Sequence, residues 1–219
     1  MIPRLGRILL VLACTAALVP FLWSGTSSCR KPSKTETTDP IAPWVRLSRA
    51  ELFTGELKRL EPHLRLTASG CVRMEITVPI TIGIESELWL EGKRAKSLIA
   101  SQLPGQATGE MSFSLQEVKG VNGQRQFRFV LATTEDSGSS AMTTELDQPE
   151  PVEGGSMSTT AQLREPLDLP EGQYVPIWAF VVHKGLTYDG SQIHSMEDAV
   201  KASHWAILIK AKWERPDRK

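Results

Sequence analysis

From Val72 to Ile84 every even-numbered position is apolar: Val72, Met74, Ile76, Val78, Ile80, Ile82 and Ile84. Alternation with period two puts all seven side chains on one face of an extended ribbon, a pattern that an α-helix does not satisfy. The parity continues through Leu88 and Leu90 until Gly92 and Lys93 turn the chain. Strands average about five or six residues, so a ribbon this long is expected to bend or to pass between two sheets. Pro79 marks the place, because a residue without an N–H cannot donate to a ladder and belongs at an edge or a bulge. Gly83 is a second candidate bend. The single apolar face requires cover from a helix or from a second sheet.

The rest of the chain supplies both kinds of cover. Met111, Phe113 and Leu115 alternate, as do Phe127, Phe129 and Leu131, and Asn122-Gly123 between them is a hairpin signal. Further strands are expected over residues 156–163, 174–183 and 204–214; in the last, Trp205, Ile207, Ile209, Ala211 and Trp213 share one face. Ser48 and Glu51 have the spacing of a capping box, and Leu47 and Leu52 that of a hydrophobic staple. Leu52, Phe53, Leu57 and Leu60 then fall on one helical face, and Pro62 stops the run, which predicts an amphipathic helix over 49–61. Ser195 and Asp198 cap a short helix, Met196 to Ala202. The expected fold is mainly β: an antiparallel β-sandwich over residues 44–216, with one N-terminal amphipathic helix and a short helix near residue 198. Residues 133–155 hold six acidic residues and no basic one among Ser, Thr, Gly and Pro, and read as a mobile acidic loop. They lack the alternating Asp/Asn pattern with central Gly of an EF-hand calcium loop.

The N-terminus speaks to location. Arg4 and Arg7 precede sixteen residues without a charge, Ile8 to Trp23, and small polar residues follow. That order is an export signal, cleaved or retained as an anchor, over residues 1–28. A hydrocarbon core of ~30 Å asks for about 20 helical residues, so both outcomes stay open. The positive-inside rule keeps Arg4 and Arg7 cytoplasmic, which makes the remainder extracytoplasmic: membrane-tethered, or periplasmic or secreted after cleavage. Residues 29–43 continue a Ser-, Thr-, Pro- and Lys-rich stretch without periodicity and read as a disordered tether.

Cysteine usage fits an exported chain. Cys14 lies inside the apolar run, leaving Cys29 and Cys71 outside it. Thr26 to Cys29, TSSC, resembles the end of a bacterial lipoprotein signal, which would make Cys29 a lipidation site; Thr26 stands where an aliphatic residue is expected. A Cys29–Cys71 disulfide would add about 3 to 4 kcal/mol by the chain-entropy argument. The alternative is a buried Cys71 acting as a small hydrophobe.

Lys and Arg balance Asp and Glu at 25 each, so no net field steers the chain toward nucleic acid. His183, His194 and His204, with Asp189 near them, are the candidate catalytic groups, because imidazole and carboxylate supply acid–base chemistry. Their spacing matches no zinc motif, and no metal or cofactor is expected. Trp89 breaks the even parity of the ribbon and is the candidate ligand contact, as a stacking platform for an envelope glycan or protein. The sequence thus points to an exported, membrane-tethered binding or structural module of the cell envelope. The alternative is a metal-dependent or acid–base hydrolase using the C-terminal histidines.

Overall fold

The structure, a computed structural model, describes residues 44–105, 109–135, 138–185 and 195–216. The expectations for residues 1–43, including Cys29, and those for Asp189 and His194 fall outside the described residues. In chain order the elements are β1 (Val45–Ala50), a 3₁₀ helix (Gly55–His63), β2 (Leu66–Ile76), β3 (Ile80–Leu90), β4 (Lys93–Gly105), β5 (Gly109–Lys119) and β6 (Arg125–Glu135). They continue with β7 (Gly138–Asp147), β8 (Ser156–Gln162), β9 (Leu167–Asp168), β10 (Val175–Lys184), α1 (Met196–Lys201) and β11 (Trp205–Glu214). The strands form a six-stranded sheet, β7-β6-β5-β2-β1-β9, and a five-stranded sheet, β4-β3-β11-β10-β8. Neighbours within each sheet pair antiparallel. The fold is an antiparallel β-sandwich.

The long apolar ribbon divides at Pro79. Its first part is β2 in the six-stranded sheet and its second is β3 in the five-stranded sheet, so Val72 and Met74 meet Ile80, Ile82 and Ile84 from opposite sides of one core. The crossing is tied to the chain start, where Trp44 N–H donates to Thr77 Oγ1 at 3.1 Å. Gly83 does not bend the strand: it sits in an unbroken ladder opposite Lys212, and the irregularities of β3 fall at Ser86/Glu87 and Leu88/Trp89, against β4. The core is closed by Phe113, Phe129, Leu131, Trp178, Trp205, Ile207 and Ile209, all essentially without solvent contact. Burial of this apolar area is the main favourable term in folding.

Two further expectations are corrected. Residues 49–61 do not form an amphipathic α-helix. Val45 and Leu47 alternate inward as β1, Ser48 pairs with Arg73 rather than capping a helix, and the 3₁₀ helix that follows has no buried residue and no side-chain cap bond at Thr54. Each sheet already covers the other, so no apolar sheet face is left for Leu57 and Leu60, and an undocked α-helix of that length is marginal in water. Residues 133–155 are not one loop: β6 runs to Glu135 and β7 pairs with it along its length. Met142, Thr144 and Leu146 point inward at every second position, while Glu145 meets Arg128 at 3.0 Å on the outside. Strands β1, β4, β7 and β9 were not expected from the sequence.

The short helix α1 matches its expectation. Ser195 Oγ accepts from Asp198 N–H at 3.1 Å. Its Ala199 and Val200 cover an outer-face apolar patch of the five-stranded sheet formed by Ala179, Val181, Ala206 and Leu208.

Candidate functional site at one end of the sandwich

Strand registers bring four segments to one end. Leu66, just after the 3₁₀ helix, pairs with Gln116 of β5; Lys119 pairs with Arg125 across the Asn122-Gly123 hairpin; Leu90 pairs with Trp205. Phe127, beside the hairpin, packs its ring 5.6 Å from that of Trp205 and fixes the two sheets' ends together. Gln116 Nε2 also donates to the Leu64 carbonyl at 3.1 Å.

The exposed large hydrophobic side chains of the described residues are Leu57, Leu60, Leu64, Leu90 and Val121, and all five lie at this end. Single exposed leucines mean little, but confinement of all of them to one end is informative. Leu57 is 57% exposed and Val121 at the hairpin tip fully so. Sequence reasoning missed this surface because it assigned Leu57 and Leu60 to a buried helix face. The available signal was Gly55 and Pro62 bracketing the segment, which leaves little room for an α-helix.

The histidine cluster adjoins the same end. The β3–β4 turn consists of Glu91 and Gly92, both at positive φ (50° and 69°), the geometry of a two-residue hairpin. A Cβ at residue 92 would collide with the Lys201 carbonyl oxygen, so the turn presses on the C-terminus of α1 and needs glycine twice over. Glu91 N–H donates to the His204 carbonyl at 2.9 Å, and its carboxylate takes Lys184 Nζ at 2.8 Å and meets His204 Nδ1 at 2.5 Å. Hydrogen bonds from Lys184 first, then His204, hold the Glu91 carboxyl below its usual range. His183 lies on the neighbouring strand and is 4% exposed. Among the described residues no group of three or more His, Cys, Asp or Glu side chains could hold a metal ion.

Burial lowers the His183 imidazole below its ordinary value of 6.5, opposed by a hydrogen bond with the Ala202 backbone. Between the ordinary and the lowered value the unfolded chain binds a proton that the folded chain does not, so stability falls as pH drops through that window. The urea midpoint is expected to decline from pH 7 to pH 5.5, and His183→Gln, which does not titrate, should flatten that decline. An unchanged decline in the variant would assign it to other groups.

Trp89 is half-buried: its Nε1 donates to Glu87 at 2.9 Å and its ring packs beside the cluster under α1. It is a wall of the domain more than an open platform. A cleft of about 210 Å³ runs between residues 49–61 and the Ser69–Cys71 stretch, with Arg49, Phe53, Lys58 and Gln162 in its lining. Lys58 is paired with Glu51 at 3.0 Å across it. Cys71 is buried and has no disulfide partner among the described residues, and burial pushes its thiol up to about 11. A thiol so rarely ionised is a poor nucleophile. Site-resolved alkylation at pH 8 should leave Cys71 unmodified in the native chain and label it in denaturant; native labelling would refute the buried-thiol assignment, and a Cys29–Cys71 peptide would reveal a disulfide.

Fold and geometry define an antiparallel β-sandwich with exposed large apolar side chains at one end. Comparison with known protein families, with curated proteins and with solved structures finds no match.

Proposed function

We propose that the chain is an exported, membrane-tethered module of the cell envelope that acts by binding or structural association. The observation that carries the reading is the clustering, at one end of the sandwich, of the large hydrophobic side chains exposed among the described residues, the usual mark of a surface that is covered in use. The export step draws on the charge-free stretch Ile8 to Trp23 behind Arg4 and Arg7. The hydrolase alternative draws less support, because His183 is nearly inaccessible and the His204 ring is engaged by Glu91.

Protease digestion of intact cells, of cells with a permeabilised outer barrier, and of lysates tests the reading. Residues 44–216 should become digestible while a cytosolic marker is still protected. Digestion only together with that marker would overturn it. Mass spectrometry of the mature chain then separates a start at lipidated Cys29, at a residue near it, or at Met1.

A further inference from the structure

We infer that the apolar end of the sandwich docks on the surface of an anionic lipid bilayer, the same bilayer into which the chain's N-terminal segment is proposed to insert. The inference rests on the membrane-tethered reading and names the surface it contacts. Its first support is shape. Leu57 and Leu60 are three residues apart in a 3₁₀ helix, where such positions eclipse one another, and none of that helix is buried. Together with Leu64, Leu90 and the tip residue Val121 they are the exposed large apolar side chains of the described residues, and none of the five lines the cleft between residues 49–61 and Ser69–Cys71. Small ligands take concave sites. A bilayer takes apolar tips that share one level, immersed a few ångströms into the headgroup boundary.

The second support is charge. Segments 55–66, 90–94 and 117–125, which carry these side chains, contain seven basic residues against four acidic; Lys58, Arg59, Arg94 and Arg125 are held in ion pairs, which leaves Arg65, Lys93 and Lys119 against Glu61 outside the ion pairs of the described residues. Cations outside ion pairs, on the same segments as the exposed apolar side chains, suit an anionic headgroup layer, where each Lys or Arg adds attraction. The third support is reach. Trp44 enters beside Thr77, at the opposite end from the apolar tips. The twenty residues from Ser24 to Pro43 extend to at most about 66–72 Å, whereas an eleven-residue strand is about 37 Å long. The tether is therefore long enough for the far end of the domain to turn down onto the membrane that holds its start.

The test is amide hydrogen exchange of the full chain in nanodiscs of phosphatidylcholine, with and without phosphatidylglycerol. Exchange in residues 55–66 and 119–125 should slow on the order of tenfold in the anionic discs, and residues 138–144 at the other end should not change. The variant L57E/L60E, altered only at exposed positions, should lose the slowing. Equal rates in both disc types, or slowing that survives L57E/L60E, overturns the inference. A chain that fails to enter the discs refutes the tethering reading, and docking is then read by sedimentation with anionic vesicles. Wild-type chain pelleting while L57E/L60E stays in solution supports docking; both staying in solution overturns it.

Discussion

Gly70→Ala should destabilise the domain by about 2 kcal/mol, a melting shift of about 4–8 °C for a domain of this size, and Gly70→Val by more. Gly70 faces inward from β2 opposite Phe113, and the Trp178 indole lies across it. A Cβ at residue 70 would fall well inside contact distance of Trp178 Cδ1 and Nε1, in the middle of the core where neither group can swing into solvent. The indole is held from both sides. Its Nε1 reaches the Ser69 carbonyl at 3.4 Å, and its ring packs 5.8 Å from that of Phe113. The added methyl must therefore displace the ring or spread the sheets. Urea denaturation reads the effect as a lower midpoint at unchanged slope. Trp178→Phe removes the colliding edge, so Gly70→Ala should cost less in the Trp178→Phe background than in the wild type. Additive losses would mean that the collision is relieved elsewhere.

How far the sequence announced this structure depended on whether a signal was local. Parity in Val72–Ile84, in Phe127–Leu131 and in Trp205–Trp213 reports backbone geometry directly, and those segments are strands with the expected inner faces. Pro79 and Ser195 also act through their own backbone neighbours, and both mark the boundaries that they suggested. The helix over 49–61 failed because its evidence was conditional: leucines at helical spacing form a docked helix only if an apolar face is free to receive them. That depends on how the two sheets close over each other, which is decided by strands as far along the chain as β10 and β11. β7 was obscured for the opposite reason, since Met142 and Leu146 are too few among Ser, Thr and Gly to outweigh the acidic composition. The candidate site followed the same rule. His183 and His204 converge as neighbouring strand ends suggest, but the apolar end exists only once three distant segments are assembled, and no single stretch records it.

Glu87→Ala should cost about 3 kcal/mol, although the residue lies on the outer face of its sheet. Glu87 is fully buried there, and its carboxylate takes Lys210 Nζ at 2.6 Å, Arg94 Nε at 3.0 Å and Trp89 Nε1 at 2.9 Å. Removing the anion leaves the largely buried Lys210 ammonium with the Tyr174 ring at 5.8 Å and a single distant carboxylate, Glu85 at 3.9 Å, and strips the Trp89 indole of its acceptor. Arg94 is about half exposed and is screened by water, so most of the loss falls on the Lys210 and Trp89 contacts. Lys210→Met should cost less, because Arg94 and Trp89 still satisfy the carboxylate. The double variant E87M/K210M should be more stable than Glu87→Ala alone, since exchanging both members of a buried pair for apolar groups avoids a stranded charge. If the double variant instead loses the sum of the single losses, the two side chains do not act as a pair. The network also bears on the apolar end. Glu87 sits opposite Leu208 and Glu85 opposite Lys210, and a one-residue slip of β3 on β11 would carry both carboxylates into the core. Because that slip is so costly, the register that places the Glu91–Gly92 turn against α1 and Leu90 at the apolar end is held by charges some distance from the surface it positions.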